Sequence, residues 1–187
     1  MQTLAPLTVE SLAAQPWAGE PWELIDGEIV PTHPAGSYHS DLVWCLLTRL
    51  TPFVVAKGRT WRAVADNAGF VVSRDPDEIL SPDVAIYKVR PRHSGPWFNF
   101  SPELAIEIAS PDQAPQALLL KKQKYLAAGT EQVWIVDPRS ETITIYLPDG
   151  TRMVHHDEPL AGFGLLDGFS MHVGELFADS PYREKQG

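Results

Sequence analysis

Leu80–Tyr87 reads LSPDVAIY, Glu103–Asp112 reads ELAIEIASPD, and Leu118–Pro138 reads LLLKKQKYLAAGTEQVWIVDP. The runs VAIY and LAIEI are short, aliphatic and bounded by Pro, Ser and Glu, which predicts two buried strands. The third stretch predicts a helix that begins after Pro111, stops with Gly129 just past its C-terminus, and hands over to a strand, QVWIVD. Each of the first two strands carries an acid: Asp83 at the head of one and Glu107 inside the other. A buried carboxylate costs several kcal/mol unless something pairs with it. Glu107 therefore asks for a cation, either a divalent metal, a lysine, or both.

Outward from this stretch, the composition bounds the answer. The chain has 187 residues, 44% of them hydrophobic, enough for one domain with a full core. Its net charge of −9 makes the surface as a whole repel nucleic acid, so any such binding needs a local basic patch or a metal. Cys45 is the single cysteine, which excludes an intrachain disulfide framework and a cysteine-based zinc site and suits a reducing cytoplasm. The first residues, MQTLAPLTVESLAAQPW, lack the pattern of a leader, and no apolar run is long enough for a membrane span. A soluble, cytoplasmic protein is expected.

Upstream, Thr8 is placed to cap a short helix, VESLAAQ, that Pro16 helps to end. In WELIDGEIV the pair Asp26-Gly27 lies between two short apolar runs and predicts a tight hairpin. Glu23 and Asp26 read as solvated hairpin charges, whereas Glu28, next to Ile-Val, could equally be buried or exposed. From Tyr38 to about Ala56 the apolar positions 42, 43, 46, 47 and 50 recur at helical spacing, with Ser37 as cap and Pro52 as the point where the helix ends or kinks. His39 falls in its first turn, where a surface or capping role is the ordinary one. TWRAVA and AGFVVS supply further strands, with RDPDE as a turn.

Downstream of the Asp83 strand, Lys88, Arg90, Arg92 and His93 form a cationic run that reads as a solvated loop, with phosphate contact as the alternative. After Asp137-Pro138, ETITIYL and TRMVHH predict a hairpin. LLDGFSMHVGELF then predicts an edge strand and a short helical turn that packs Leu176 and Phe177. His155 and His156 are adjacent, so on a strand they would face opposite ways and could not share an ion. Trp134, Tyr87 and Tyr125 read as core aromatics.

The order αβββαβ, with acids in the second and third central strands and a lysine on the next helix, resembles the PD-(D/E)XK nuclease superfamily, and within it the Uma-two-type family. The pieces that carry the resemblance are WELIDGEIV, His39, SPDVAIY, LAIEIASP, the Lys-x-x-x-Tyr-x-x-x-Gly run from Lys121 to Gly129, EQVWIVDP and GFSMHVGELF. The resemblance implies an α/β (α+β) restriction-endonuclease-like core with a central mixed sheet flanked by helices. It also implies a single domain over 1–187, with an N-terminal helical arm at 1–20, the core at 21–147 and C-terminal strands and tail at 148–187.

What the resemblance implies about function is metal-dependent hydrolysis of DNA phosphodiesters, with Asp83 and Glu107 holding Mg²⁺ or Mn²⁺ and Lys121 beside the attacking water. Elementary chemistry agrees: Mg²⁺ takes oxygen ligands and keeps several waters, so two carboxylates and a phosphate oxygen suffice. A metal lowers the pKa of its water, and a neighbouring lysine stabilises charge on phosphorus. Glu28, His39 and Lys122 are possible supporting residues. Helical periodicity alone favours Lys122, while the family register, four residues before Tyr125, favours Lys121; Lys124 is read as solvated. The sequence departs from the orthodox motif at Ala109, where the lysine would follow the glutamate. It departs from the family at Ala117, where an acid is usual. A homodimer is expected by analogy of fold. Two other readings stay open: a catalytically inactive nuclease-like fold acting as a binding or assembly module, and a phosphodiesterase for small molecules.

Overall fold

The computed structural model describes residues 7–14, 21–32, 34–65, 67–91, 95–111 and 113–183. Its centre is a six-stranded sheet in the order β10-β9-β8-β7-β6-β3. The strands are β3 (Trp61–Ala65), β6 (Val84–Lys88), β7 (Leu104–Ile108), β8 (Gln132–Asp137), β9 (Thr142–Leu147) and β10 (Gly150–Val154). The pair β7·β8 is parallel and the other neighbours are antiparallel, so the sheet is mixed.

Helix α2 (Ser37–Ala56) covers one face, and α3 (Pro115–Ala127) covers the other. The sequence α2-β3-β6-β7-α3-β8 is the expected αβββαβ core. Burial on both faces explains why LAIEI is apolar almost throughout. Leu104, Ile106 and Ile108 pack with Leu42, Leu46 and Leu50 of α2, and Ala105 packs with Tyr125 of α3. Alternation along the strand then aims Glu107 at α3.

The helix boundaries follow local chemistry. Pro115 opens α3, where no amide partner is needed. Gly129, at φ +91°, closes it in the left-handed conformation, and the Thr130 amide donates back to the Tyr125 carbonyl at 3.0 Å. Pro52 does not end α2 but lies inside it. The helix continues through Phe53 and Val54 because Val54 is buried in the main core and Phe53 packs edge-on to Phe169. Gly36, not Ser37, is the N-cap of α2. Thr8 does cap α1 (Val9–Ala13), accepting the Ser11 amide at 3.1 Å; Pro16 lies outside the described residues.

Asp26 and Gly27, at φ +53° and +77°, make the turn between β1 (Trp22–Ile25) and β2 (Glu28–Pro31). This hairpin is not part of the central sheet. It joins the second hairpin, β4 (Phe70–Arg74) and β5 (Asp77–Leu80), in a separate four-stranded sheet ordered β2-β1-β5-β4. The hydrogen-bonding edge of β1 is taken by β5, with Leu24 opposite Ile79.

At the C-terminal side β11 (Pro159–Ala161) pairs with β12 (Ser170–His172), and α4 (Val173–Ala178) buries Leu176 and Phe177 completely. His155 and His156 follow β10 in a turn; His156 Nδ1 is 2.5 Å from Glu141, which also pairs with Arg183. Among the described residues no helix is long and apolar enough to cross a membrane.

Candidate active site

Asp83 stands immediately before β6. The register of β6 and β7 pairs Val84 with Ile106, so one step outward Asp83 comes opposite Glu107. The Ile108 amide donates to Asp83 Oδ2 at 2.7 Å, which fixes the first acid to the strand of the second. The same oxygen is 3.3 Å from Nε2 of His39, which α2 delivers from its first turn. His39 is therefore part of the cluster and not a surface residue. Burial works against a charge on its ring, but the hydrogen bond and charge of Asp83, helped by the Ile108 backbone and Glu107, prevail and raise its pKa. Nδ1 of the same ring is buried and has no hydrogen-bond partner among the described residues.

Glu107 is only 3% exposed. The crossover from β7 to β8 lays α3 over it, and Lys121 Nζ donates to its Oε2 at 2.7 Å while the Tyr125 hydroxyl donates to Oε1 at 3.1 Å. One turn of helix separates these two donors, which is why the Lys-x-x-x-Tyr spacing brings both to one carboxylate. Burial pushes the Glu107 carboxyl up to about 8 against the pull of Lys121. For Lys121 burial acts against the ammonium, yet the charges of Glu107 and Glu23 outweigh it and lift its pKa further above the ordinary value. Burial, then Glu107, likewise raise the Tyr125 phenol.

Glu23 is the residue the sequence left out. It was expected to be solvated, but it is 4% exposed, 2.9 Å from Lys121 Nζ, and accepts the Ser81 amide at 2.7 Å. The reason is strand alternation: Leu24 faces the small core under α1, so Glu23 and Ile25 face α3. A signal was present, since Glu23 shares its face with the apolar Ile25. Glu28 is exposed on β2, and no hydrogen bond or ion pair among the described residues ties it to the cluster.

Of the three helix lysines, Lys121 is the one that reaches the acids. Lys122 sits with its ammonium 4.8 Å from the Tyr146 ring centroid. Lys124, expected to be solvated, has a side chain only 13% exposed and bridges Asp26 at 2.9 Å and Glu78. Its pair with Asp26 is also why that carboxyl titrates below its usual range. Two successive lysine contacts thus latch the small sheet onto α3. In the cationic run, Arg90 donates to Glu103 at 2.9 Å and Lys88 is exposed; Arg92 and His93 lie outside the described residues. Ala117 is exposed in the first turn of α3, one turn ahead of Lys121.

Among the described residues no group of three or more His, Cys, Asp or Glu side chains could by itself cage a metal ion. This does not suit zinc, which wants four protein ligands in a structural site and three in a catalytic one. It does suit Mg²⁺, which is held by one or two carboxylates together with waters and substrate phosphate. Asp83 and Glu107 are the neighbouring carboxylates that could hold it, and Asp83 commits only Oδ2 to the hydrogen bond and ion pair described.

The family described as "Uma2: Putative restriction endonuclease" matches residues 9–173. The fold is similar to the crystal structure of "a putative nuclease belonging to DUF820" from Anabaena variabilis ATCC 29413, with a TM-score of 0.79 and 23% identity, covering 92% of this chain and 98% of that one. No curated protein matches the chain.

Proposed function

This chain belongs to the Uma2 family, and from that premise we propose that it is a metal-dependent endonuclease hydrolysing phosphodiester bonds of DNA. The observation that carries the proposal is the convergence of two acids from neighbouring central strands with one buried lysine, Lys121, at 2.7 Å from Glu107.

Each residue then has a task. Asp83 and Glu107 would hold a divalent ion, Mg²⁺ or Mn²⁺, which supplies Lewis acidity toward water and phosphate oxygens. Lys121 is held as an ammonium by two carboxylates, so it acts on the phosphate as a fixed positive charge and not as a base. Glu23 anchors that charge to the Ser81 amide. His39 braces Asp83 from the opposite side, and Tyr125 orients Glu107. Cutting both strands of a duplex takes two such sites, which a two-fold dimer would supply.

A second reading, a binding or assembly module without catalysis, draws on one specific observation. Both oxygens of Glu107 are satisfied by the chain's own donors, so the cluster is complete without an ion. Calorimetric titration with Mn²⁺ separates the two. Binding by the wild type that is lost in Glu107→Gln, together with nicking of plasmid DNA that requires the ion and stops in that variant, is the expected result. A folded wild type that binds no Mn²⁺ with or without DNA sinks the nuclease and leaves the module.

A further inference from the structure

β3 is the outer strand of the central sheet, and its partner β6 leads back to Asp83. Residues 57–65 and 84–91 contain Lys57, Arg59, Arg62, Lys88 and Arg90 and not one acid, in a chain whose net charge is −9. A third of its fifteen cations thus sit on one sheet edge. Arg90 is committed to Glu103. None of the other four has a carboxylate within ion-pair distance among the described residues. Arg59, Arg62 and Lys88 are exposed, and Lys57 is half-buried.

The edge is also organised. Trp61 and Lys88 are cross-strand partners. The Lys88 ammonium is 5.0 Å and the Lys57 ammonium 5.8 Å from the Trp61 ring, and Lys57 is 4.9 Å from the Phe53 ring. Cations over an aromatic face are held in place without being neutralised. Because lysines cover it, Trp61 is not free to stack on a base. The chemistry on offer is phosphate contact.

We infer that this edge, with Lys57, Arg59 and Lys88, docks the phosphate backbone of duplex DNA beside the active site. The inference deepens the nuclease reading and rests on it for the identity of the polyanion. Spacing agrees with one continuous ligand. From Asp83 to Lys88 is five residues of extended chain, about 16 Å, which is about five steps of a B-form strand. Alternation puts Lys88 on the α2 face of the sheet and Asp83 on the α3 side, so a backbone entering at Asp83 would reach these cations by crossing the open edge at β3. The rest of an acidic surface would push the duplex away, so the edge also sets the direction of approach.

The test measures affinity of the wild type for a short fluorescent duplex in EDTA, where no cleavage occurs, as a function of salt. Lys57→Gln, Arg59→Gln and Lys88→Gln are compared singly and together, with thermal melts as the control for folding. Each lost phosphate contact should lower the slope of log K against log salt by about one, and the triple variant by nearly three. The losses should be the same for unrelated duplex sequences. Unchanged slopes, or no duplex binding by the wild type at low salt, overturn the inference. So does tighter binding of poly-glutamate than of DNA, which would make the partner an acidic protein. Plasmid cleavage distinguishes the two failures. A triple variant that binds and cleaves as the wild type does removes the edge and keeps the nuclease. Steep binding that the triple variant loses, in a wild type that never cleaves with Mn²⁺, removes the nuclease and keeps the edge.

Discussion

Lys121 and Glu107 are separated by fourteen positions in the chain and by 2.7 Å in space, and both are buried. The contact is made because β7 buries its Glu107 face under α3, and α3 turns Lys121 and Tyr125 down onto it. With Glu23 on the far side of the ammonium, the cluster pairs one buried cation with two buried acids.

Lys121→Met should therefore be strongly destabilising, by roughly 3–5 kcal/mol, since it leaves two buried carboxylates without their cation. The sign with pH follows from Glu107, whose pKa is already raised to about 8 and rises further in the variant. A raised carboxyl pKa means that the folded state holds a proton the unfolded chain has released, so stability falls as pH rises through that window. The deficit against wild type, measured as the urea midpoint, should be larger near pH 9 than near pH 7. An equal deficit at both would show that Glu107 is not the group that pays.

Ion binding should depend on pH in the opposite sense. A protonated Glu107 offers no charge to a cation, and burial raises its pKa to about 8. Apparent Mn²⁺ affinity should climb with pH, by up to about tenfold per unit, and flatten above the Glu107 pKa. Calorimetry at several pH values reads this directly. A flat profile between about pH 6 and 9 would contradict it.

Glu23→Gln and Glu28→Gln make a matched pair on one hairpin. Glu23 holds Lys121 and is buried, whereas Glu28 is exposed. Removing an outer partner of an active-site group typically costs about 10–100-fold. Plasmid cleavage should fall by that order in Glu23→Gln and stay near wild type in Glu28→Gln. The reverse order would remove Glu23 from the site.

Tyr125 has two separable roles. Its ring is fully buried, and its hydroxyl donates to Glu107. Tyr125→Phe keeps the packing and gives up one hydrogen bond to a buried acid, a loss of about 1–3 kcal/mol. Tyr125→Ala also opens a cavity and should cost about 3–5 kcal/mol or more. Thermal or urea unfolding of both variants distinguishes the two contributions, and equal losses would mean that the hydroxyl alone matters.

Much of this protein is local and therefore legible in its order of residues. The hairpin at Asp26-Gly27, the stop of α3 at Gly129 and the buried strands VAIY and LAIEI follow from backbone preference and apolar pattern, which act within a few residues. The need of Glu107 for a cation was equally plain, because the cost of burying a charge does not depend on where the partner comes from. The family register, four residues before Tyr125, pointed to Lys121, while Tyr125 itself read only as a core aromatic.

Which groups met that need was decided only in three dimensions. Periodicity favoured Lys122; the packing of α3 on β7 selected Lys121 and turned Lys122 to Tyr146. Glu23 and Lys124 looked solvated because a four-residue strand and a helix end betray little about which face will be covered. They became buried partners because β1 pairs with β5, which brings Glu23, Asp26 and Glu78 over α3. His39 came to Asp83 for the same kind of reason, because α2 packs on β6 and β7 and sets its first turn beside the head of β6. Local sequence determines the elements and the charges they carry, while pairing between distant strands determines which charges lose their water and must find each other.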